Sequence, residues 1–235
     1  MIRKTGFALT AVGLALVAWV GVTLWWGEPF TSLYTRHEQR ALSKELRALD
    51  RKWSGTVRLA SAAPSRKAAV ASRQVRVAAA LRVRAGAFRR TLRDGRAFGR
   101  IIVPRLGLNM VVIEGTSEGD LEKGPGHYNA RSGRRTSVPG TGGVIAIAGH
   151  RTTYLHPFRH IDSLRPGDGI TLVMPYGTFR YRVYYHRVVD AREWRILQRR
   201  RFEKLVLTAC HPLYSASHRF VVYARLKSQA FRDAA

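Results

Sequence analysis

The sequence predicts an all-β domain, a closed barrel or a sandwich, carried behind an N-terminal membrane helix and a stalk. Three observations lead there. From Phe98 onward the chain is a series of short apolar runs punctuated by glycine and proline, with no long amphipathic helix between them. Residues 7–26 contain no charged side chain, matching the roughly 20 apolar residues that a helix needs to cross a bilayer. And 235 residues suffice for one well-buried core plus an attachment, but not for two full domains.

Taken from the N-terminus, Arg3 and Lys4 precede the apolar segment and Trp25 and Trp26 close it. Basic residues favour the cytoplasmic side and tryptophan rings the far interface. The expected topology is a single pass, with a cytoplasmic N-terminus and everything after residue 26 outside the cell. A cleaved signal peptide would have a shorter apolar core and a small-x-small site, which Gly27-Glu28-Pro29 does not provide. Next, Leu33, Leu42, Leu46, Leu49 and Trp53 recur near helical spacing among Arg36, Arg40, Lys44, Glu45, Arg47, Asp50 and Arg51. This is an amphipathic helix that stops before Gly55. From Ala60 to Gly95 alanine, arginine, serine and valine dominate, which reads as a linker too polar to build a core, or as a basic helix lying on the membrane. Predicted strands follow at 99–103, 110–114, 144–148, 169–174, 178–189, 205–208 and 219–226. A short helical turn is expected near 155–164, and a hairpin at Pro175-Tyr176-Gly177-Thr178. The organisation is therefore an anchor (1–26), a helix with a basic linker (27–97) and the main domain (98–235).

The formal net charge of +26 is shared about equally between residues 27–97 and 98–235. A charge spread in this way has no focused groove for nucleic acid. Outside a membrane it would meet anionic headgroups or acidic wall polymers first. A solvated basic surface explains it equally well, so charge carries no catalytic weight.

Chemistry enters with Cys210, the single cysteine, at the end of the apolar run 204–209. Alone in a translocated domain it cannot form an intramolecular disulfide, so it is a buried small hydrophobe or a reactive thiol. A second apolar run, 143–149, ends on His150, and Arg219 opens a third. Free cysteine titrates near ~8.5 and histidine near ~6.5, so a neighbouring imidazole can take the thiol proton or protonate a leaving amine. Arginine stays charged and offers a rigid fork of donors to an oxyanion. Of the competing histidines, His211 faces away from Cys210 along an extended strand. His156 and His160 lack the other ligands of a zinc set and are separated by Pro157. His127 reads as a turn-fixing side chain. Glu118, Asp120 and Glu122 form an acidic cluster without an oxygen-rich calcium loop, a solvated turn.

Several stretches together resemble the sortases, most closely the actinobacterial class E branch. They are Leu207-Thr208-Ala209-Cys210 with Arg219 downstream, Ala148-Gly149-His150-Arg151-Thr152-Thr153-Tyr154, Ile102-Val103-Pro104-Arg105-Leu106-Gly107-Leu108, Leu121-Glu122-Lys123-Gly124-Pro125-Gly126-His127-Tyr128, Leu164-Arg165-Pro166-Gly167-Asp168 and Tyr214-Ser215-Ala216. The resemblance runs over 98–226 and extends to the N-terminal segment and the helix that follows it. It implies an eight-stranded β-barrel that transfers secreted proteins, bearing a C-terminal Leu-Ala-x-Thr-Gly or Leu-Pro-x-Thr-Gly sorting signal, to an amine of the cell wall. In that scheme Cys210 is the nucleophile that forms a thioester, His150 the acid and base, and Arg219 the oxyanion donor, with Thr208, Ala209 and Tyr154 beside the substrate. The implied partners are sorting-signal proteins, a peptidoglycan precursor or other amine acceptor, and the membrane. No metal or organic cofactor is needed for this chemistry. The family commonly places threonine directly before the cysteine, where this chain has Ala209; restoring the hydroxyl is expected to give equal or higher turnover. The alternatives are a hydrolase or pilin-type polymerase on the same fold, or a non-catalytic basic module binding wall or lipid.

Overall fold

The structure, a computed structural model, describes residues 2–26, 29–53, 66–129 and 136–232. Among these residues the strands are β1 (Ala97–Val103), β2 (Leu108–Glu114), β3 (Gly126–His127), β4 (Val144–Ala148), β5 (Gly169–Met174), β6 (Gly177–Asp190), β7 (Lys204–His211) and β8 (His218–Ala230). They close into a barrel in the order β1-β2-β3-β4-β7-β8-β6-β5, which decides between the barrel and the sandwich. The helices are α1 (Ile2–Trp26), α2 (Pro29–Trp53), α3 (Arg66–Thr91) and α4 (Glu118–Lys123). β4 and β7 run parallel, whereas β8 is antiparallel to both β7 and β6. Two chain-distant strand ends, those of β4 and β7, therefore arrive side by side at one end of the barrel.

Side-chain alternation sorts the sheet into an inside and an outside. Ile145, Ile147, Leu205, Leu207, Ala209, Phe220 and Val222 belong to the interior core. Val144, Ala146, Val206, Val221 and Tyr223 form a second cluster on the outer face, covered by Ile196 and Leu197 of the 3-10 turn Trp194–Leu197. Being covered on both faces is why β7 reads as a continuous apolar run. Lys204, 2% exposed, fastens that cover by donating to the carbonyls of Ile196 (2.8 Å) and Gln198 (2.7 Å). Burial, with help from Arg200 and Arg187, pulls its pKa down to about 8.

The N-terminal region departs from the sequence reading in two ways. The assignment of residues 7–26 as a membrane span is not supported: among the described residues no helix is long and apolar enough to cross a membrane. The side chains described in α1, those of residues 5–21, are all exposed. The expected linker also changes character. Over Arg66–Thr91 it is a helix whose Leu81, Ala85 and Phe88 enter the main core, with Phe88 against Trp53 (5.6 Å between centroids) and Tyr176 (5.3 Å). Val77, Leu81, Ala85 and Phe88 fall on one helical face, hidden in sequence by the Arg/Ala background and by Val75 and Val83, which are exposed on another. Residues 60–65 of that stretch lie outside the described residues. α2 forms as expected and buries Leu42 and Leu46 against Ala97, Val111 and Ile113. Gln39 adds a two-way bond to the Val111 backbone, accepting its N–H at 2.8 Å and donating to its carbonyl at 3.0 Å.

Candidate active site

Strand register builds the site. On β7 and β8, Cys210 and Arg219 are direct cross-strand partners, so their side chains leave the same face at neighbouring positions. On β4 and β7, Ala148 pairs with Thr208, and the Gly149 N–H donates to the Thr208 carbonyl at 3.1 Å, carrying the pairing one residue past the strand. Two further residues along each chain are His150 and Cys210, so the histidine and the thiol lie at one level. Gly149 is required by close approach: a Cβ there would meet the buried Phe158 ring at 2.7 Å. The chain then folds over Phe158, whose N–H donates to the His150 carbonyl at 3.0 Å.

His150 is half-buried, and its Nε2 is buried without a hydrogen-bond partner among the described residues. A buried polar nitrogen left unpaired is costly and points to a function. Burial lowers the imidazole pKa below its ordinary value, against the opposing pull of the Glu122 and Glu118 carboxylates. The resting ring is therefore neutral at neutral pH and able to accept a proton. Tyr154 lies beside it, ring centroids 5.3 Å apart, with its hydroxyl donating to Glu122 Oε1 at 2.9 Å.

Thr208 shares the outer face with Cys210 and is 1% exposed; its hydroxyl pairs with that of Tyr128 at 3.0 Å. Ala209 does not. It is 3% exposed and packs in the interior core, because adjacent strand residues point to opposite faces. A side chain at 209 therefore faces the barrel interior, whereas Thr208 shares the face that carries Cys210. Arg219 is partly exposed, and one of its nitrogens, Nη1, donates to the carbonyls of Ala216 (2.8 Å) and His218 (3.0 Å). The guanidinium is thus tethered to the β7–β8 loop through Nη1.

Arg151 is the residue that sequence reasoning undervalued. It is 3% exposed; Nη2 binds Asp162 at 2.8 Å, while Nη1 reaches the Cys210 carbonyl at 3.4 Å and His211 Nδ1 at 3.2 Å. A planar fork buried in this way ties the loop after His150 to the strand end that carries Cys210. The only hint in sequence was its position next to His150.

The other candidates lie elsewhere. His211 contacts Arg151 and the ring of Phe220, a core residue. His127 is 1% exposed, bonded to Glu114 at 2.7 Å and stacked on Phe98, and it reaches Thr136 and Ser137. That makes it a fastener of the 136–137 segment. His156 and His160 are exposed and line a cleft of about 290 Å³ with Arg159 and Leu106. In the acidic turn, Asp120 completes a capping box with Ser117 and Glu122 receives Tyr154. A thiol, a neutral imidazole and a guanidinium on one partly open face can support acyl transfer through a covalent sulfur intermediate.

Residues 101–227 match the sortase domain family. The chain is 33% identical to sortase D of Bacillus subtilis (strain 168) over 135 residues, 56% of this chain and 64% of that protein. It is 28% identical to sortase SrtE1 of Streptomyces coelicolor over 151 residues, 59% of this chain and 43% of that protein. It thus spans less than two thirds of the length of either relative. Among solved structures, sortase E1 from Streptomyces coelicolor with tripeptide in the active site aligns with a TM-score of 0.55 at 27% identity, over 60% of this chain and 94% of that one.

Proposed function

Because this chain belongs to the sortase family, we propose that it is a cysteine transpeptidase acting on a C-terminal sorting signal. The observation that carries the reading is the pairing of Cys210 with Arg219 across β7 and β8, with His150 brought level two residues past the end of β4.

The Cys210 sulfur attacks the carbonyl carbon of the Thr-Gly bond while its proton passes to His150. Arg219 donates to the carbonyl oxygen as it becomes an oxyanion. The C–N bond breaks, His150 returns the proton to the departing glycine amine, and the threonine carbonyl remains as a thioester on Cys210. An acceptor amine then attacks that carbonyl; His150 takes its proton and hands it to the Cys210 sulfur as the thioester opens. Thr208 and Tyr154 flank this path, while Ala209 supports it from inside the barrel. Similarity to SrtE1 supports a class E assignment and hence Leu-Ala-x-Thr-Gly in preference to Leu-Pro-x-Thr-Gly. The acceptor is a wall amine such as a peptidoglycan precursor.

The same proposal places the chain at the cell membrane as a single-pass protein with its barrel outside. Its support is the uncharged run 7–26 after Arg3 and Lys4 and the exposed Phe7, Leu9, Leu14, Val17 and Trp19 of α1. Incubating the full chain with both signal peptides, with and without an amine acceptor, tests the activity. A ligated product is expected; hydrolysis alone would make it a protease, and no turnover with any signal would refute the reading.

A further inference from the structure

α4 is fixed in space from outside the barrel. The buried Thr35 of α2 donates to the Glu122 carbonyl at 2.7 Å, and Gln39 donates to the Lys123 carbonyl at 2.8 Å. Gly124, at φ 150°, leaves room for that approach, since a Cβ there would lie 2.5 Å from Gln39 Nε2. The Glu122 side chain projects from this anchored turn to the hydroxyl of Tyr154 at 2.9 Å, and the Tyr154 ring lies against His150. Tyr154 itself has a positive φ of 51°, as do Leu155 (60°) and His156 (35°), a strained conformation that persists only where surroundings enforce it. The carboxylate bond is such an enforcement.

We infer that Glu122 is a positioning residue of the active site: through Tyr154 it holds the His150 ring in place, and through its charge it favours the imidazolium that forms during turnover. The inference rests on His150 being the acid and base of the reading above. The carboxylates whose charge bears on His150 are Glu122 and Glu118 of α4, Tyr154 of its own loop lies against the ring, and strand register brings Cys210 of β7 and Arg219 of β8 to the same end of the barrel. Glu122 reaches His150 by two routes, through its bond to Tyr154 and through its charge. The effects separate by substitution. Glu122→Gln keeps an acceptor for Tyr154 but removes the charge, whereas Tyr154→Phe keeps the ring but removes the bond.

The experiment measures kcat and KM of the full chain against pH for wild type and both variants, with the His150 ring titration followed by NMR. Glu122→Gln is expected to move the acid limb and the NMR titration to lower pH, because a carboxylate that favoured the cation is gone. Tyr154→Phe is expected to lower kcat by roughly tenfold, the factor carried by one hydrogen bond to a charged group, with KM unchanged. An acid limb and titration in Glu122→Gln that superimpose on wild type would overturn the inference. So would a Tyr154→Phe variant with wild-type kcat, or one that loses only KM, which would make Tyr154 a substrate contact. A wild-type chain that forms no acyl-enzyme would refute the transpeptidase reading instead, and the NMR titration would still report on Glu122.

Discussion

Arg219→Lys separates charge from geometry at the site. Arginine presents five N–H donors in a plane; in this structure Nη1 is spent on the carbonyls of Ala216 and His218. The donors on Nη2 and Nε make no protein hydrogen bond among the described residues, on a residue that is the cross-strand partner of Cys210, the proposed nucleophile. An ammonium can satisfy the loop carbonyls or an oxyanion, but cannot span both as a planar fork does. Losing one oxyanion donor costs about 10²–10³ in rate, or about 2.7–4 kcal/mol of transition-state stabilisation. The side chain is only partly buried, so folding stability should change by no more than ~0.5 kcal/mol. The assay is kcat/KM for peptide ligation, with denaturant unfolding as the control. A folded Arg219→Lys protein working within about threefold of wild type would refute the reasoning, because positive charge alone would then suffice.

Three further outcomes follow from the geometry. Ala209→Thr places a hydroxyl and extra volume in the interior core, so it should cost about 1–3 kcal/mol of stability with turnover per folded molecule close to wild type; faster thioester formation at unchanged stability would contradict the inward orientation. Phe88→Ala should cost about 3–5 kcal/mol in equilibrium unfolding, because a fully buried ring is removed from between Trp53 and Tyr176; a cost near zero would mean that α3 is not part of the folded unit. Since burial lowers the His150 pKa, its neutral form persists below the ordinary value. The acid limb of kcat/KM should therefore lie below about pH 6.5, and a limb above it would place a different group in control.

The strands were legible because they alternate or run continuously apolar, and the candidate site because Cys210, His150 and Arg219 each sit at the end or start of such a run; closure into a barrel was not distinguished from a sandwich by that pattern. Sequence could not rank 208 against 209 without knowing which face of β7 is inside; the period of two then decides it at once. β3, with only Gly126 and His127, is too short for any periodic signal. A helix over Arg66–Thr91 was one of the two readings, but its packing into the core was not legible, because Val77, Leu81, Ala85 and Phe88 are set in an arginine- and alanine-rich background. The roles of Arg151 and Glu122 depend on partners far away in the chain, Asp162 and Cys210 for one and Tyr154 for the other. Local pattern does not record such pairings.

The central claim is that Cys210 carries the acyl group. Intact-protein mass spectrometry of the full chain mixed with a Leu-Ala-x-Thr-Gly peptide, quenched before acceptor is added, tests it most directly. The account predicts an adduct ending in the threonine carbonyl, located on Cys210, cleaved by hydroxylamine, discharged by an added amine and absent from Cys210→Ala. Peptide cleavage or ligation that continues in Cys210→Ala would contradict it.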